Sequence, residues 1–190
     1  MMSHCRQKLT MTEENNAIEQ KKQIIELLTV ANEYCMFIEK AYDYSKEDIL
    51  EYLHRIGPLL YLKGSLLPEL NVEDSSAYER FVTEEVWEDI FNELRNKFGR
   101  DDIFWFVDET NFIDNEITKG SMAEHLSDIY QDLKDFVFLY SKNTRDAILN
   151  SVTECRKLYH TSWGLKIARI QKNIHYILYR TQIEGEIGEL

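Results

Sequence analysis

The chain has 190 residues, 44% of them hydrophobic and 12% aromatic, which suits one domain with a sizeable core. Two prolines and seven glycines are too few for a many-stranded sandwich with frequent tight turns, and they favour long uninterrupted helices. A formal charge of −12 argues against general nucleic-acid binding, because phosphate contacts need dense Lys and Arg.

The first eleven residues read as a loose tail. Thr12 then offers a cap for a long first helix, with Glu13 and Glu14 at the positive end of its dipole. Ile24, Leu27, Leu28, Ala31, Tyr34, Cys35 and Ile38 make a broad apolar stripe that fades near Tyr42. Ser45 opens a second helix, with Glu47 and Asp48 in its first turn and a core face from Ile49 to Leu60. Gly57-Pro58 lies inside it and predicts a kink; the helix should stop before Pro68. Pro68 to Tyr78 reads as a polar loop. Thr83 caps a third helix that Gly99 ends, with Val86, Trp87, Ile90, Phe91, Leu94 and Phe98 on its apolar side.

Ile103 to Val107 is apolar without helical phase, too short for a helix and rich in β-favouring residues. It reads as an extended buried connector, at most one short strand, followed by a loop from Glu109 to Gly120. Ser121 and Glu124 then have the Ser-x-x-Glu spacing of a capping box. Behind them Leu126, Ile129, Leu133, Phe136, Val137 and Tyr140 share one helical face. Glu124, Asp128, Asp132 and Asp135 share the other. Asn143 or Thr144 caps a helix to about Tyr159, and a last helix runs from Trp163 to about Thr181, with Gly164 at the joint. The reading is therefore all-α: one domain over residues 12–182, five or six helices and one short extended segment, with tails at 1–11 and 183–190.

Charge is uneven along this chain. Asn143 to Arg180 holds seven Lys/Arg against two Asp/Glu, a balance of +5, which leaves −17 for the remainder. The simplest consequence is that the basic C-terminal segment packs beside the acidic helices. The three cysteines, Cys5, Cys35 and Cys155, are odd in number and far apart, which fits a reducing compartment. No signal-peptide core and no run near the ~20 apolar residues of a membrane span is present, so a cytoplasmic protein without a membrane partner is expected.

Four carboxylates at spacings of three and four repel one another by tenths of a kcal/mol per pair, about 0.2–0.5 each, unless something relieves them. Bulk water is the simplest relief. A second is a row of cations from a neighbouring helix, with Arg156, Lys166 and Arg169 as candidates. A third is a divalent ion such as Mg²⁺, which takes hard oxygen ligands. The metal reading has a sharper form, because Glu84-Glu85-Val86-Trp87-Glu88 has the Glu-Glu-x-x-Glu pattern of all-helical nucleotide pyrophosphohydrolases. There Glu84, Glu85, Glu88, Glu124 and Asp128 would hold Mg²⁺ on a phosphorylated small molecule. The later pair, Glu124 and Asp128, is one residue too widely spaced for that family. Glu51 and His54 form one Glu-x-x-His where a di-iron bundle needs two.

The stretches Asp128-Ile129-Tyr130-Gln131-Asp132-Leu133-Lys134 and His160-Thr161-Ser162-Trp163-Gly164 resemble the Asp-Ile-Tyr-x-Asp-Leu and His-x-x-Trp-Gly signatures of the bacterial domain-of-unknown-function family DUF5063. Phe104 to Asp108 resembles the segment that precedes the acidic helix there. The likeness spans the first helix to the last. It departs after Trp-Gly, where a further basic or histidine residue is expected and Lys166 stands nearest. The resemblance implies a mostly helical cytoplasmic domain with no assigned activity, and a meeting of Asp128, Tyr130, Asp132, His160 and Trp163 in space.

A non-catalytic binding or interaction module without a cofactor is expected, its partner an unidentified protein or small molecule. The expected site is a polar cleft between the acidic helix and the C-terminal helix, formed by Asp128, Tyr130, Asp132, His160, Trp163 and Arg156. The Mg²⁺-dependent hydrolase is the alternative.

Overall fold

The computed structural model describes residues 2–72, 80–107 and 117–187, with side chains described over 15–72, 80–107 and 117–185. Six α-helices carry the fold: α1 (Met2–Ile38), α2 (Lys46–Ser65), α3 (Glu84–Phe98), α4 (Met122–Ser141), α5 (Arg145–Thr161) and α6 (Trp163–Ile187). Single 3₁₀ turns at Ala41–Asp43 and Gly99–Asp102 follow α1 and α3. Strands β1 (Ile103–Val107) and β2 (Ile117–Ser121) pair antiparallel, with Trp105 opposite Lys119.

The caps explain most helix starts. Ser45 and Asp48 form a reciprocal capping box on α2. Thr83 accepts from the Val86 amide and Thr144 from that of Ala147. Gly99 ends α3 at φ 56°, a left-handed conformation that costs glycine nothing. At α1 the expectation is corrected: the helix begins at Met2 and runs through Thr12, which is not its cap. At the other end α6 continues past Thr181 to Ile187.

Helix α2 passes through Pro58 as one element. Proline has no N–H, so the carbonyl four residues back, that of His54, loses its helical donor. Gln171 on α6 supplies one: its Nε2 donates to the His54 oxygen at 3.2 Å. Gly57 leaves the room, since a Cβ there would meet the Gln171 amide oxygen.

The centre of the domain is α4, which packs against α1, α3, α5 and α6. With neighbours on all sides it buries residues around its whole circumference, including His125, Ser127 and Asp135 beside Leu126, Ile129 and Leu133. The division into a core face and a water face therefore fails for this helix. Trp163 at the head of α6 is fully buried, its indole N–H donating to the Cys155 carbonyl at 3.1 Å. A Cβ on Gly64 would run into the rings of Trp163 and Tyr159, and one on Gly164 into the Tyr159 carbonyl.

The Ile103–Val107 segment departs from expectation in two ways. It has a partner strand, β2, in residues read as loop; positions 109–116 of that loop lie outside the described residues. Nor is it a buried connector: Phe104 is buried, but Trp105 is 65% exposed and Val107 48%. Alternation on a two-stranded ribbon laid over a helical core puts one side in and the other out. Among the described residues no helix is long and apolar enough to cross a membrane.

Candidate functional site

Three of the four α4 carboxylates, Asp128, Asp132 and Asp135, turn to the protein. Asp128 accepts from the Trp87 indole N–H at 3.0 Å and pairs with Lys166 at 2.8 Å, linking α4 to α3 and α6. Lys166 also donates to the Ser162 hydroxyl at 3.2 Å, and that hydroxyl donates to Asp132 at 2.8 Å. Trp87, Asp128, Lys166, Ser162 and Asp132 thus form one chain across three helices and the α5–α6 joint. Asp135 accepts both the Phe81 and Val82 amides, at 2.8 and 2.9 Å, and so holds the chain entering α3. Only Glu124 is exposed.

Burial sets the acid chemistry of this chain. It raises the Asp132 carboxyl to about 6, against the Ser162 hydrogen bond and Lys166, which favour the anion. Asp135 is raised for the same reason, opposed by its two backbone donors. At the head of α4, Asp102 is buried and accepts from the Ser121 hydroxyl and the Ala123 amide, both at 2.8 Å. Ser121 meanwhile caps Glu124 at 3.1 Å, so the acid that completes this helix start comes from the preceding turn.

The expected polar cleft does not assemble around these groups. Tyr130 points the other way, donating to Glu39 of α1 at 2.8 Å, where Lys134 also pairs with that glutamate. Trp163 is core. His160 is exposed beside the Tyr159 ring, and Arg156 reaches Glu69 at 3.7 Å, away from α4. Of the named residues only Asp128 and Asp132 join a common network, through Lys166 and Ser162, and their oxygens there are engaged by internal donors. For the alternative ligand set, Glu84, Glu85 and Glu88 are exposed on α3 and Asp128 is held by Trp87 and Lys166. Among the described residues no group of three or more His, Cys, Asp or Glu is placed to hold a metal ion. Burial raises the thiol pKa of Cys35 and Cys155 well above the ordinary range, so neither is poised as a nucleophile.

Two histidine features escape simple patterning. His54 and His175 meet across α2 and α6 at 3.3 Å, with the Tyr179 ring beside both. His125 is only 8% exposed, lies edge-on to the Phe104 ring at 5.3 Å, and has no partner for either ring nitrogen among the described residues. Its pKa falls to about 4, chiefly by burial, with Lys166 acting in the same sense and Asp128 against it.

A sizeable open space lies elsewhere, between β1 and α6. It is a groove of about 720 Å³. All five β1 residues line one wall, inward- and outward-pointing alike, so the strand presents its edge. Leu165, Ala168, Arg169, Lys172, Asn173 and Tyr176 form the other wall, at the spacing of one helical stripe. Ile103, Trp105, Val107, Leu165 and Tyr176 are all more than a third exposed, a larger apolar cluster than a scattered surface residue accounts for. Arg169 stacks over the Phe106 ring at 4.3 Å. Among the described residues that line the groove none is acidic.

A family model described as domain of unknown function DUF5063 matches residues 18–180. The chain belongs to this family. A crystal structure of a protein from Bacteroides fragilis is similar at 31% sequence identity and a TM-score of 0.74, covering 83% of this chain and 93% of that one. No curated protein matches significantly. This DUF5063 domain therefore shares its helical architecture with a solved relative, and neither comparison names an activity.

Proposed function

We propose that this DUF5063 domain is a non-catalytic binding module and that the groove between β1 and α6 is its binding face. The observation that carries the reading is the exposed wall of the groove, with Trp105 at 65% exposure beside a strand edge that no described residue pairs. An exposed indole on a paired strand is a typical anchor for a partner, because a few aromatic and arginine side chains supply most of the energy of such contacts. The α4 carboxylates support a structural role instead, since each inward one already has a donor. Nothing in the arrangement of Glu84, Glu85, Glu88, Glu124 and Asp128 favours the Mg²⁺-dependent hydrolase.

The test is a selection from a random-peptide library against the purified chain, followed by binding of the selected peptides to a Trp105→Ala variant. Selected peptides are expected to bind the variant at least tenfold more weakly. Peptides that bind both proteins equally would remove the groove from consideration.

A further inference from the structure

His54 of α2 and His175 of α6 are brought together by the same joint that accommodates Pro58. The proline leaves the His54 carbonyl without a helical donor, and Gln171 of α6 supplies one at 3.2 Å. His175 stands four residues after Gln171, one turn further along the same face of α6. The backbone that carries one imidazole is therefore tied to the helical turn beside the other. Tyr179, another turn along, lays its ring against both, with centroids 5.6 Å from His54 and 4.8 Å from His175. Neither histidine lines the β1–α6 groove, so the pair is a separate feature of α6.

His54 Nε2 and His175 Nδ1 lie 3.3 Å apart. An N–H donor usually sits about 2.7–3.2 Å from its acceptor, so as a hydrogen bond this contact is long. The spacing fits a different role. Two nitrogens bound to one Zn²⁺ at about 2.0–2.1 Å, with a tetrahedral angle between them, stand about 3.3–3.4 Å apart. Imidazole nitrogen suits Zn²⁺, whereas Mg²⁺ takes oxygen ligands. Both rings can be reached from solvent, His175 being exposed and His54 half-buried. We propose that His54 Nε2 and His175 Nδ1 bind one Zn²⁺ between α2 and α6, with the proton of each ring on its other nitrogen and water in the two remaining positions. Two imidazoles supply half of a tetrahedral shell, so the site stays open and releases its ion reversibly. The bound ion clamps α6 to α2 one turn beyond the Gln171 bond.

Zinc chloride titrated into the full chain, first freed of metal with EDTA, tests this. His54→Gln and His175→Gln should each weaken zinc binding about tenfold or more, and His160→Gln, which removes an exposed histidine elsewhere, should leave it unchanged. Melts in EDTA check that the variants fold; His175→Gln, at an exposed position, carries the test if His54→Gln does not. Zinc at tenfold above its Kd should raise the melting midpoint of the parent by about 3 °C or more, and Mg²⁺ should not. Long-range ¹H–¹⁵N spectra of the rings distinguish the two nitrogens: zinc should move His54 Nε2 and His175 Nδ1 and leave the protons on His54 Nδ1 and His175 Nε2. Zinc binding that is absent, that survives in both variants, or that is lost in only one of them overturns the site. Rings of His54 and His175 that ignore zinc overturn it as well, and the pair is then a long hydrogen bond between two helices and nothing more.

Discussion

Replacing His125 with leucine probes a buried titratable group that has no hydrogen-bond partner among the described residues. The imidazole is 8% exposed, neither nitrogen has a partner among the described residues, and its pKa is held at about 4. An unfolded histidine titrates near 6.5. A folded-state pKa below the unfolded one contributes stability that is complete above the unfolded value and is lost as pH falls toward the folded value. Protonation of the unfolded chain alone costs the native state about 2 kcal/mol at pH 5 and about 3 kcal/mol at pH 4. Leucine removes this dependence and also removes a buried polar group without partners, a gain of roughly 1 kcal/mol at pH 7. Asp128 and Asp102 face the ring with favourable charge and Lys166 and Arg169 with unfavourable charge, and all four remain in the variant. The assay is urea unfolding of both proteins at pH 7, 6, 5 and 4, reading the difference in stability so that other titrations cancel. The variant's advantage should widen by about 2 kcal/mol between pH 7 and pH 5. A difference that stays constant with pH would show that the imidazole protonates freely and that the burial argument is wrong.

Other substitutions test other joints. Asp132→Asn keeps an acceptor for Ser162 and removes a buried charge. Because the folded carboxyl is raised to about 6, its penalty is absent below pH 4 and grows as pH rises to 6. The variant should therefore gain up to about 3 kcal/mol at pH 7–8 and nothing at pH 3.5, as read by chemical denaturation. Gln171→Leu should cost about 1 kcal/mol in the native chain by orphaning the His54 carbonyl, and much less in a Pro58→Ala background, where the helix supplies its own donor. A double-mutant cycle of thermal stabilities reads the coupling; additive effects would contradict the proposed compensation. Gly64→Ala should destabilise by about 3 kcal/mol, since the new methyl meets two aromatic rings packed beside it, and a loss under 0.5 kcal/mol would mean those rings can move aside.

Much of the frame was legible because it is local. Ser45, Thr83, Ser121 and Thr144 cap where their spacing says they should, and Trp163-Gly164 marks close packing of the helix joint. The direction of the α4 carboxylates was legible only in part: charge balance pointed Asp128 and Asp132 toward the basic C-terminal segment, where Lys166 meets Asp128, but periodicity did not. Periodicity sorts residues by hydrophobicity and assumes one wet side, while α4 has helices all round, so its polar stripe became a set of hydrogen-bonded joints. Lys166 could be named as a partner from charge alone; Trp87 and Ser162 could not, because neutral donors leave no charge signal. Strand β2 was missed for a similar reason. Ile117-Thr118-Lys119-Gly120-Ser121 has little β character of its own and is extended because β1 lies beside it. Without β2 the edge of β1, and so the groove, could not be seen.

The proposed binding face is formed by β1 and α6, with the acidic helix as framework. Chemical-shift mapping with library-selected peptides on the ¹⁵N-labelled chain tests that placement most directly. Shifts concentrated at Ile103–Val107 and along Leu165, Arg169, Lys172 and Tyr176 are the predicted result. Shifts concentrated at Asp128, Asp132, Ser162 and Lys166, with β1 silent, would contradict it.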